Sequence, residues 1–145
     1  MRKNRVITLL AASALLTGGS LTFGASSAAA APDFTFEKCG VVSNGGFCIA
    51  VYTNGTYSGI AIWQADPLGE DPGDSMRAAD YYGDGWGVNA ILESPYRLAS
   101  TDGHAAPYKT GWKSGDLTEG TSVRMRICMH QDLNSVCSPY YSGHA

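Results

Sequence analysis

Residues 47–63 read FCIAVYTNGTYSGIAIW, two runs of β-branched and aromatic residues joined by Asn54-Gly55. Asn-Gly accommodates positive φ at both central positions of a type I′ turn, whose twist matches that of the flanking strands, so the turn predicts a hairpin and its register. In that register Tyr52 faces Tyr57, Ile49 faces Ile60 and Phe47 faces Ile62. One face then collects Phe47, Ile49, Val51, Ile60 and Ile62. An isolated hairpin cannot bury such a face in water, so a second layer is expected over it.

The flanking sequence supplies material for that layer. Phe34 and Phe36 alternate just before the first cysteine and predict an opening strand. Residues 75–93 read as a second hairpin turning at Asp84-Gly85, which pairs Asp80 with Asn89 and gathers Ala79, Tyr81, Trp86, Val88, Ala90 and Leu92 on one face. A short strand is expected over residues 96–101. Over residues 121–130, Val123, Met125 and Ile127 alternate with Arg124 and Arg126, and residues 137–141 return beside them. No 3.6-residue apolar period occurs beyond residue 30. The expectation is an all-β chain: a small antiparallel β-sandwich, immunoglobulin-like in general architecture, of seven or eight strands, with a small closed barrel as the nearest rival.

The first thirty residues have a different character. Arg2, Lys3 and Arg5 precede an apolar run from Val6 to Leu16, and small residues lead to Ala28-Ala29-Ala30, the layout of a secretory signal peptide. A membrane-spanning helix needs about 20 apolar residues, and Thr17-Gly18-Gly19-Ser20 interrupts this run. Cleavage is expected after Ala30, because Pro32 disfavours a cut one residue later. The 145-residue chain is then left with residues 31–145, a single secreted domain. The leader removes three of ten basic residues and none of thirteen acidic ones, so seven against thirteen leaves a net charge of −6. Only Arg124 with Arg126 and Lys109 with Lys113 lie near one another, which argues against nucleic acid and anionic membranes as partners.

Four cysteines in an exported chain predict disulfides. Of the possible connectivities, Cys39 with Cys48 and Cys128 with Cys137 is favoured, because each pair has the form C-x8-C and encloses turn-forming residues. Each bridge closes a loop of about ten residues, for which chain entropy gives about 2.5–3 kcal/mol. Zinc and redox sites would call for C-x2-C spacing, which is absent.

Two loops hold the polar chemistry. Residues 65–74, ADPLGEDPGD, carry Asp66, Glu70, Asp71 and Asp74, but without the D-x-D-x-D-G spacing or the closing Glu of a calcium loop, so a solvated acidic loop without metal is expected. Residues 102–120 are long, Gly-rich and irregular, and carry His104, Tyr108, Lys109, Trp112 and Lys113. His104, His130 and His144 belong to no catalytic signature, and no glycine loop for phosphate or cofactor is present. Asp80, Asp84 and Asn89 are explained as turn and cross-strand partners more simply than as a carboxylate site. Aromatic residues in excess of what a small core needs offer flat apolar faces with polar edges, suited to sugars or to a protein partner. The expected contact surface is Tyr108 and Trp112 of the long loop with Tyr140 and Tyr141 near the end of the chain.

The run Asp80-Tyr81-Tyr82-Gly83-Asp84-Gly85-Trp86-Gly87-Val88, then Gly103-His104-Ala105-Ala106-Pro107-Tyr108, then the closing C-x8-C, resembles a group of small exported proteins of filamentous actinomycetes. The resemblance spans most of residues 31–145. It implies export and one small β domain, and no activity. The functional expectation is therefore a non-catalytic binding module for extracellular polysaccharide, envelope material or an exported protein. The alternative is an inhibitor of a secreted protease or amylase, presenting the loop closed by Cys128 and Cys137.

Overall fold

The computed structural model describes residues 30–40 and 45–145. The expected signal peptide lies outside the described residues apart from Ala30, as does part of the first cysteine loop. Ten strands, all antiparallel and with no helix among the described residues, form two sheets. The first contains β1 (Phe34–Cys39), β2 (Phe47–Thr53), β3 (Thr56–Gln64), β4 (Ser75–Asp80) and β7 (Tyr108–Lys109), in that spatial order. The second runs β10 (Tyr141–His144), β8 (Ser122–Gln131), β5 (Gly87–Leu92), β6 (Arg97–Ser100), and β9 (Asn134–Cys137) also pairs with β8. The two inner faces interdigitate: Phe47, Ile49, Val51, Ala61, Trp63, Met76 and Ala78 pack against Val88, Ala90, Leu92, Val123, Met125, Ile127 and Met129. This is the expected β-sandwich, with ten strands in place of seven or eight because the closing segment splits into β9 and β10 and β7 adds a two-residue edge.

The opening hairpin forms as expected at its turn, with Asn54 at φ 49° and Gly55 at φ 79°, and Tyr52 faces Tyr57. Beyond that pair the register departs from expectation. A β-bulge at Ser58 sets Val51 opposite Gly59, Ile49 opposite Ala61 and Phe47 opposite Trp63. Because side chains alternate with a period of two, this one-residue slip exchanges the faces of β3. Ala61 and Trp63 enter the core, while Ile60 and Ile62 turn to the outer face and are only half-buried. The cause is local polar chemistry. Ser58 is fully buried, and its Oγ accepts the Thr53 amide at 3.0 Å while lying 2.6 Å from Thr53 Oγ1 and 2.9 Å from Thr56 O. A buried hydroxyl without partners costs about 1–3 kcal/mol, and the bulge satisfies it. Gly59 completes the device, since an added Cβ would lie 2.6 Å from both Ala79 O and Val88 Cγ2.

The second hairpin does not form. β4 and β5 belong to different sheets: Asp80 pairs with Gly59 and Tyr108, and Asn89 with Ser100 and Cys128. Residues 81–86 cross between the layers, and Asp84-Gly85 turns that crossover, with Asp84 Oδ1 accepting the Trp86 amide at 2.9 Å. The apolar residues of the two segments face each other across the core rather than lying side by side. From the first arm it is Met76 and Ala78, not Ala79 and Tyr81, that point inward. Both disulfides are present as expected, each linking directly opposed residues, Cys39 to Cys48 and Cys128 to Cys137.

The bulge makes an energetic prediction. Trp63→Ala should cost about 3–5 kcal/mol of unfolding free energy in urea, as for a large core aromatic. Ile62→Thr should cost under about 1 kcal/mol. Comparable losses at the two positions would restore the unbulged register.

Candidate functional site

Three connections meet at one end of the sandwich: the crossover 81–86, the return crossover 101–107 and the turn between β8 and β9. They enclose an open cleft of about 580 Å³. The size falls in the range of small-ligand sites. One wall comes from the first sheet through Asp80, only 4% exposed, whose Oδ1 accepts the Tyr82 amide at 3.1 Å. The other comes from the second sheet through Asp102 and His130, whose Nδ1 lies 3.2 Å from Asp102 Oδ2. Asn89 Nδ2 donates to the same oxygen at 3.2 Å. Gly87 lies beneath this pair, and a Cβ there would come 2.3 Å from Asp102 Oδ1. The carboxylate therefore occupies the space a side chain would fill. Trp86 lines the cleft and packs edge-on against Phe34, with ring centroids 4.9 Å apart. His104, from the long loop, also lines it and stacks on Tyr108 at 3.8 Å.

A second feature adjoins the cleft. On the outer face of the first sheet Tyr52 meets Tyr57 edge-on at 5.7 Å, and Tyr57 stacks on Tyr81 at 5.6 Å with 27° between planes. Tyr57 and Tyr81 are 42% and 46% exposed. The Tyr81 amide donates to Ser58 O at 2.8 Å, so the bulge also fixes where Tyr81 sits. Burial, then the neighbouring Tyr81 and Tyr52, push the Tyr57 phenol above its ordinary 10.0, and it remains a neutral donor at physiological pH. Ile60 continues this outer face along the sheet, with Ile62 and Arg77 beyond it.

The four aromatics expected to make contact do not converge. Tyr108 is on the edge strand of the first sheet, stacked on His104. Trp112 is half-buried, its ring 4.2 Å from the Arg77 guanidinium carbon and its Nε1 donating to Asp71 Oδ1 at 2.8 Å. Tyr140 covers Arg124 and Arg126, each 4.9 Å from its ring, on the outer face of the second sheet, and Tyr141 packs against the core. The acidic loop is tied into the fold by the same kind of contact, for Asp74 Oδ2 accepts the Leu117 amide at 2.8 Å. Tyr57 and Tyr81 escape a sequence reading that assigns Tyr81 to a core face. The signal that identifies them is the Ser58 bulge.

No protein-family model, curated protein or solved structure matches the chain.

Burial holds the Asp80 carboxyl above its ordinary 3.8; the Tyr82 amide opposes the rise and Asp84 adds to it. A raised native-state pKa contributes stability that is full below about 3.8 and is lost as pH climbs through the folded value. Asp80→Asn is neutral throughout and escapes that loss. In urea titrations at about pH 3 and about pH 7, the variant should therefore gain on the wild type at the higher pH. A difference that is constant with pH would show that Asp80 titrates as a free carboxyl.

Proposed function

We propose that the chain is a secreted, non-catalytic binding module for extracellular polysaccharide, with the outer face of the first sheet as its contact surface. The observation that carries this reading is the stacked, half-exposed Tyr57–Tyr81 pair, flanked by Tyr52. A flat ring whose edge bears a hydroxyl can cover the C–H face of a sugar and hydrogen-bond its hydroxyls at once. Mounting such rings on a sheet limits the conformational entropy lost on binding. Two disulfides agree with an oxidising compartment outside the cell.

One observation favours the second reading, an inhibitor of a secreted protease or amylase. Leu133 is 100% exposed at the tip of the β8–β9 hairpin, which the Cys128–Cys137 bridge closes. A fully exposed apolar side chain on a braced turn suits insertion into an apolar pocket of a partner.

Pull-down on insoluble cellulose, chitin and cell-wall polysaccharide tests the first reading. The protein should be retained on at least one, and Tyr57→Ala and Tyr81→Ala should each weaken retention by about tenfold, equivalent to about 1.4 kcal/mol. Their melting temperatures should stay within about 4 °C of wild type. Retention unaffected by either variant removes the aromatic face from the account. Stoichiometric inhibition of one hydrolase in a panel, abolished by Leu133→Asp, would establish the second reading instead.

A further inference from the structure

We propose that the cleft at the Asp80 end takes a primary ammonium group, supplied by an amino sugar of the polymer held on the Tyr57–Tyr81 face. This rests on the polysaccharide-binding reading and specifies the class of sugar. The cleft presents two carboxylates from opposite sheets, each with one oxygen engaged within the protein and one left over. Asp80 uses Oδ1 for the Tyr82 amide, and its Oδ2 receives no donor among the described residues. Asp102 uses Oδ2 for His130 and Asn89, and its Oδ1 likewise receives none among them. Asp80 is only 4% exposed and lines the cleft. A buried carboxylate is costly unless a cation or donors meet it, and burial raises the Asp80 pKa for that reason.

The balance of charge selects the ligand. Asp132 adds a third acidic group to the lining, and no Lys or Arg among the described residues lines the cleft. An ammonium group brings one positive charge and three donors to oxygens that lack them. Trp86 on the wall supplies an aromatic surface that attracts a cation. A bare metal ion fits less well, because among the described residues no three His, Cys, Asp or Glu side chains are grouped to hold one. Asp80 immediately precedes Tyr81, so the wall of the cleft is continuous in the chain with the stacked face, and this continuity favours a sugar amine over a protein amine.

Calorimetric titration at low ionic strength with a glucosamine hexamer, an N-acetylglucosamine hexamer and hexalysine tests this. The glucosamine hexamer should bind at least about tenfold more tightly than its acetylated counterpart. Asp80→Asn should abolish that preference by bringing the glucosamine hexamer down to the affinity of its acetylated counterpart, and Tyr57→Ala should weaken both hexamers alike. The wild-type comparison of the two hexamers requires no variant to fold. Equal affinity for the two hexamers, binding of neither, or a preference that survives Asp80→Asn overturns the proposal. Hexalysine binding as tightly as the glucosamine hexamer also overturns it in favour of a protein amine. A preference that depends on Asp80 but ignores Tyr57→Ala leaves the cleft standing and removes the aromatic face.

Discussion

The bulge at Ser58 is the constraint on which both the core and the candidate site depend. A hydroxyl buried between Thr53 and Thr56 finds its partners only if one residue is added to β3 at that point. That residue sends Trp63 inward, where it is fully buried and its Nε1 donates to His144 O at 2.9 Å, joining β3 to the last strand of the opposite sheet. It also leaves Tyr57 on the outer face beside Tyr81. Packing and surface chemistry thus follow from one buried polar contact, and Gly59 makes it sterically possible by letting the Ala79 carbonyl and Val88 approach the backbone.

The cleft has a topological origin. β4, β6 and β8 all end at the same edge of the sandwich, and the chain must there change sheets twice and turn once. Segments that connect layers cannot continue the sheet hydrogen bonding, so side chains take over: Asp84 holds the Trp86 amide, and the Thr101 hydroxyl accepts the Val88 amide at 2.7 Å. The carboxylates and imidazoles left at the opening stand beside Trp86, Thr101 and Gln131, and Asp102 is held by Asn89 in the space above Gly87. The open acidic cleft and the exposed aromatic surface are two chemically distinct features of the first sheet's end of the molecule.

Much of the fold was legible in the sequence because it rests on short-range chemistry. Asn54-Gly55 located the hairpin, C-x8-C spacing located both bridges, and the alternation of Val123, Met125 and Ile127 with Arg124 and Arg126 identified β8. What failed is what periodicity does not encode. A two-residue pattern gives the faces of a strand but not whether the next strand lies beside it or across the core, so residues 75–93 were expected to form one hairpin and instead span both sheets. A bulge leaves no mark in hydrophobicity: Ile60 and Ile62 look better suited to a core than Ala61 until the Ser58 hydroxyl is taken into account. The site was less legible still. The long loop does reach the cleft through Asp102 and His104, yet these come together with Asp80 and His130 only because three connections share one edge. Tyr108, Trp112, Tyr140 and Tyr141 stand out in the sequence as aromatics near loops, and their partners are an imidazole, three arginines and the core.

The Trp63 indole reports directly on the bulge. Hydrogen exchange at its Nε1, followed by nuclear magnetic resonance under native conditions, should be as slow as the best-protected backbone amides of β2 and β8, since the group is buried and bonded to His144 O. Exchange at the rate of a free indole would place Trp63 on the outer face, and would remove with it the register that holds Tyr57 beside Tyr81.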